Sequence, residues 1–103
     1  MMTKLIAAVE QLVNDEYARA SKDHGERFHS LHEAFGVLME EFEETRDELE
    51  TVSRFLNGFW KEVKRDSCDI VFLNEAKQSA INLACEAIQV AAMAHKARQG
   101  VKK

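Results

Sequence analysis

Glu40, Glu41 and Glu44 stand close together in the chain, and a fourth carboxylate, Glu86, sits in a stretch otherwise built from small and apolar residues. On a helix turning 100° per residue, Glu40 and Glu44 fall within about 20° of Glu33, and Glu41 lies about 80° round. Such a row by itself reads as a solvated acidic face. Ala34 and Val37, however, share the side of Glu41 and Glu44, so that side begins small and apolar and can meet a second helix. Glu86 carries the stronger signal. Its neighbours on the helical wheel are Leu83, Val90, Met93 and Ala97, with Asn82 and Gln89 beside it. A carboxylate on a buried face is costly unless it is protonated, paired or bound to a cation. Two readings follow. Glu86 forms a salt bridge to a Lys or Arg of another helix, or Glu40, Glu41, Glu44 and Glu86 form a cage of hard oxygen ligands. A cage of that kind suits Mg²⁺ or Mn²⁺, and such ions suit phosphate substrates.

Other residue sets carry less chemistry. His29, His32 and Glu33 have acceptable spacing for a helical zinc site, but no cysteine or third histidine is near, and a capping or solvated role is favoured. Cys68 and Cys85 lie 17 apart with no CxxC, which reads as two free thiols in a reducing compartment, more core residues than nucleophiles. Phe55, Phe59 and Trp60 can stack a base, but at this spacing they read first as bundle core or an interface.

The elements that position these residues are helices. Leu5, Val9, Leu12, Val13, Tyr17 and Ala20 predict a first helix over about residues 3 to 21, followed by a break at Gly25. Ser30 with Glu33 is a capping-box pattern, with Phe28 as part of a hydrophobic staple, so a second helix starts near Leu31. Leu31, Phe35, Leu38, Phe42 and Leu49 form its expected core stripe, continued by Phe55, Leu56, Phe59, Trp60 and Val63. Gly58 bends or divides it. Asp66-Ser67 offers a cap for a last helix from about Asp69 to Gln99, with Gly100 as its stop. That helix carries alanines nearly all round and belongs in the middle of a bundle.

The chain has 103 residues, no proline and four glycines, too few turn residues for a sandwich or barrel. The expected fold class is all-α, one domain over 1–103, a bundle of three to four long helices completed by oligomerisation into a homodimer or homotetramer. A net charge of −4 argues against a nucleic-acid partner. The first thirteen residues are amphipathic and include Lys4 and Glu10, so they read as neither a secretion signal nor a membrane span, and the expected location is cytoplasmic.

The block His32-Glu33-Ala-Phe-Gly-Val-Leu-Met-Glu40-Glu41-Phe-Glu-Glu44, with Glu86-Ala-Ile-Gln89-Val-Ala-Ala-Met93-Ala, resembles the MazG-like nucleotide pyrophosphohydrolases, especially short phage-type members. The family is all-helical and oligomeric and cleaves (deoxy)nucleoside triphosphates to the monophosphate and pyrophosphate with Mg²⁺. Its pattern is Glu-Glu-x-x-Glu on one helix and Glu-x-x-Asp on a later one, which Glu40, Glu41, Glu44 and Glu86 match. Gln89 stands at the aspartate position and offers a carbonyl oxygen without charge. The span between Glu44 and Glu86 is long for the family. The resemblance implies metal ligation by Glu40, Glu41, Glu44, Glu86 and Gln89, with Glu41 also orienting the attacking water as base. Lys77, Lys96 and Arg98 become candidate phosphate contacts, each with an ordinary surface charge as its plain alternative. The alternative function is a non-catalytic helical assembly or nucleotide-sensing regulatory protein with an incomplete metal site.

Overall fold

A computed structural model describes residues 2–67 and 70–102, and the described residues form three helices, α1 (Met2–His24), α2 (Leu31–Lys64) and α3 (Ile70–Arg98). The fold is all-α. α2 and α3 form a long antiparallel hairpin, and α1 packs on α3, so α3 is the middle helix its alanine content predicts. The molecule measures 62 × 30 × 20 Å, elongated along the hairpin.

Local chemistry explains the ends. The Ser30 hydroxyl accepts from the Glu33 backbone N–H at 3.1 Å, and the Glu33 carboxylate accepts from the His29 N–H at 3.0 Å, so the capping box is formed. α1 runs longer than residues 3 to 21, reaching His24 before the chain turns at Gly25. Phe28 shares one cluster with Ala34 of the first turn of α2. It is buried in the core, and its carbonyl accepts from the Lys102 N–H at 2.7 Å, tying the chain end beside the α2 entrance.

One expectation at the hairpin is corrected. α2 neither divides nor stops at Gly58; it is one helix of 34 residues. Gly58 is where the Phe72 ring of α3 lies against the α2 backbone, and a Cβ there would run into that ring. The Ser67 hydroxyl donates to the Glu62 carboxylate at 2.6 Å and its N–H to the Glu62 carbonyl at 3.0 Å, closing the end of α2. Asp66 takes the left-handed conformation of that turn, with φ 58°. The expected helix start at Asp69 lies outside the described residues, as does Cys68, and α3 is described from Ile70 to Arg98.

The core sits at the open end of the hairpin. Ala20, Phe28, Ala34, Ala92 and Met93 are buried, with Val13, Tyr17, Val37, Leu38 and Ala97 packed around them. The Tyr17 hydroxyl donates to the Glu26 carbonyl at 3.0 Å and its ring meets His95 edge-on at 4.6 Å, which fixes α1 against the loop and α3. Among the described residues no Leu, Ile or Val is buried. The expected core stripe of α2 is therefore corrected for the single chain: Leu31, Phe35, Phe42 and Leu49 are exposed, and only Leu38 is partly covered. The side that packs on α3 is the one beginning with Ala34 and Val37, because small residues admit a close helix approach where phenylalanines do not.

Opposite effects on stability are expected at the two ends of α2. Ser30→Ala should lower it by about 1 kcal/mol by orphaning an N-terminal N–H. Asp66→Gly should raise it by about 0.5–1 kcal/mol by relieving the left-handed backbone. Urea unfolding of the two variants beside the parent checks both signs.

Candidate metal centre

The hairpin register sets the site. Gly58 meets Phe72, and the same alignment brings Glu44 level with Glu86. Carboxylate oxygens of Glu41, Glu44 and Glu86 all lie within 4.8 Å of one another. Glu41 and Glu86 are half-buried and Glu44 is exposed, so the group opens to solvent on one side. Glu40 stands outside it on the exposed side of α2, near enough that its charge still acts on Glu41.

The electrostatics are those of crowded like charges. Burial pushes the Glu86 carboxyl above the usual range, helped by its hydrogen bond with the Glu44 side chain and by the charges of Glu44, Glu41 and Glu48. Burial also raises Glu41, with Glu44, Glu40 and Glu16 adding to it. Among the described residues no Lys or Arg forms an ion pair with Glu41, Glu44 or Glu86, so the salt-bridge reading of Glu86 does not hold. The donor set fits a hard divalent cation, which supplies the charge that three converging carboxylates lack.

Glu16 of α1 is the member that sequence reasoning missed. It accepts from Arg19 Nε at 3.1 and 3.0 Å and from Gln89 Nε2 at 2.8 Å. The Arg19 guanidinium holds its carboxyl below the ordinary value, against the opposing effect of burial. A signal was present: Glu16 interrupts the apolar set Val13, Tyr17 and Ala20, the same anomaly that marks Glu86. Gln89 thus has its amide N–H₂ engaged by Glu16 and lies in the same cleft as Glu41.

That cleft, of about 490 Å³, is bordered by Glu41 and Glu33 and also by Arg19, His24, His29 and Lys96. Lys96 is only 5% exposed, and its Nζ lies 4.4 Å from the centre of the Phe28 ring. No carboxylate pairs with it among the described residues. Lys77 is exposed and does not line this cleft, and Arg98 lines a different, apolar groove of about 620 Å³ between α1 and α3. His29 and His32 are exposed and do not join a metal-ligating group. Cys85 is exposed rather than a core residue. Phe55 and Phe59 are half-buried along the hairpin, while Trp60 is exposed with Lys64 Nζ 5.8 Å from its ring.

No family model, curated protein or solved structure matches the chain. Among the described residues no helix is long and apolar enough to cross a membrane.

An acid whose folded pKa is raised binds a proton more tightly in the native state, so its contribution to stability is greatest at low pH and declines as pH rises above the ordinary carboxylate value. Glu86→Gln in metal-free buffer should therefore melt higher than the parent at pH 7, by roughly 1–4 °C, and the difference should vanish near pH 4. Added Mg²⁺ or Mn²⁺ should raise the parent's melting temperature and leave that of Glu86→Gln nearly unchanged, as read by differential scanning fluorimetry.

Proposed function

We propose that the protein is a Mg²⁺-dependent (Mn²⁺ also serving) nucleoside triphosphate pyrophosphohydrolase of the MazG-like kind, converting a (d)NTP to (d)NMP and pyrophosphate and working as a homo-oligomer. The observation that carries the reading is the convergence of Glu41, Glu44 and Glu86 from two helices without a basic partner, beside a cleft that holds one. Neither half suffices alone. Carboxylates repel a triphosphate, and a lysine cleft without a metal site gives binding without hydrolysis.

Glu44 and Glu86 would hold the metal, with Glu41 and the outlying Glu40 adding charge. A bound divalent ion supplies screening of phosphate charge and polarisation of the phosphoryl oxygens. Within the chain, Lys96 presents its ammonium to the phosphates from a buried, preformed position, so little side-chain entropy is lost on binding. Glu41 orients a water molecule and takes its proton as the water oxygen bonds to phosphorus. The anhydride bond between the α and β phosphoryl groups breaks, and pyrophosphate departs with the bridging oxygen or is formed from the attacked β phosphoryl group. Gln89, anchored by Glu16, shapes the cleft beside Glu41. Cleft size and depth accommodate a small phosphorylated ligand.

A second reading is favoured by one observation: the amide of Gln89, at the family's aspartate position, is turned to Glu16. A site with one anionic ligand fewer suits a nucleotide-sensing regulatory protein or a non-catalytic assembly.

Pyrophosphate release from a panel of dNTPs and NTPs with Mg²⁺ or Mn²⁺ separates the two. The enzyme reading expects metal-dependent release that Glu41→Gln and Glu86→Gln each lower by about 10²-fold or more. Lys96→Met is expected to raise KM more than it lowers kcat, because it removes binding made before the chemical step. Metal-dependent nucleotide binding without release would establish the sensor instead.

A further inference from the structure

One apolar surface left uncovered is the side of α2 turned away from α3. Phe35, Phe42, Leu49, Leu56 and Val63 recur at every seventh residue, and all five remain 44 to 66% exposed. The residues three positions after each of the first four, Leu38, Thr45, Val52 and Phe59, are half-buried. An apolar seven-residue repeat kept over four heptads is the pattern of a helix packed along its length on another helix. Within the chain only the half-buried register is covered.

We propose that a second copy of this chain covers the seam, α2 against α2 in antiparallel alignment, with the two-fold axis at Leu49. Charge selects the direction. Between residues 33 and 50 the helix carries Glu33, Glu40, Glu43, Asp47, Glu48 and Glu50, besides Glu41 and Glu44 on the side that meets α3, against the single Arg46, whereas its far end carries Arg54, Lys61 and Lys64 against the single Glu62, with Arg65 and Asp66 just beyond. A parallel pair sets the whole acidic half on its own image; an antiparallel pair about Leu49 sets residues 33–44 along the basic half, and only Asp47, Glu48 and Glu50 of the two copies meet near the axis.

Register follows from the repeat. An axis at Leu49 places Phe35 opposite Val63 of the second copy, Phe42 opposite Leu56, and Leu49 opposite itself. All five layers are then filled, and each phenylalanine meets a smaller residue, as interdigitated packing requires. A shift of one heptad leaves one layer uncovered at each end. The aromatic rings of the seam are already flanked by cations, with Arg46 5.9 Å from the Phe42 ring and Lys64 5.8 Å from that of Trp60, so the seam edges are polar while its centre is not. The absence of any buried Leu, Ile or Val among the described residues gives the pairing its driving force. This inference stands independently of the nucleotide reading.

Sedimentation equilibrium of the full chain should give twice the 11.8 kDa chain mass, or a larger even multiple. Leu49→Lys, which sets two like charges together on the axis, should cut that mass by half or more, while Leu5→Lys on exposed α1 should leave it unchanged. Direction is read by oxidative cross-linking in a Cys68→Ser, Cys85→Ser background, which does not depend on a destabilised variant. Leu49→Cys should link efficiently to its own counterpart. Phe35→Cys should not, since its counterpart lies about 42 Å away along the seam, and adding Val63→Cys should restore the link. A monomeric parent, a multimer indifferent to Leu49→Lys, or a link at Phe35→Cys alone would each overturn the proposal.

Discussion

Three carboxylates within 4.8 Å of one another repel, and in this protein they are held there by the close approach of α2 to α3. Everything else follows from how that approach is achieved. Small residues at the contact, Ala34 and Gly58 on one helix and Ala92 on the other, let the backbones come near, with the Phe72 ring seated over Gly58. The electrostatic cost appears as the raised carboxyls of Glu86 and Glu41, neither of which forms an ion pair among the described residues. Arg19, which lines the same cleft as Glu41, pairs with Glu16.

The second constraint is that one helix serves two surfaces. α2 uses its small, acid-bearing side to meet α3 and form the site, which leaves its large apolar side outside. With a core limited to the end where α1, the loop and the chain terminus converge, a single chain buries little of its aliphatic surface. Site formation and exposure of the seam are thus two consequences of one choice of packing face. An antiparallel partner would cover the seam without touching the α2–α3 contact that holds the carboxylates.

Much was legible in the sequence. Ser30 and Glu33 specify the start of α2 because a capping box satisfies two N-terminal donors by local contacts alone. Gly25 and Gly100 stop their helices through backbone conformation, again a local matter. Glu86 was visible as a carboxylate among alanines, but a salt bridge and a carboxylate cage remained equal readings of it, and the hairpin register is what sets it beside Glu41 and Glu44 and leaves Glu40 outside. Glu16 carried the same signal among Val13, Tyr17 and Ala20, but its partner Gln89 lies 73 residues away and no local pattern joins them.

By itself the sequence determined an all-helical chain of three or four helices, most of their ends and the acidic and apolar character of each face, because capping, helical periodicity and the absence of proline act over a few residues. Only the tertiary structure decided which face of α2 turns inward. Hydrophobicity favoured the Phe35, Phe42 and Leu49 stripe, yet steric fit to an alanine-rich α3 favoured the Ala34 and Val37 side, and close packing of two helices depends on shape as much as on apolar area. The same choice decided that Lys96 and not Lys77 lines the cleft beside the carboxylates: residues far apart on one helix face different neighbours, and those neighbours are set by the hairpin register.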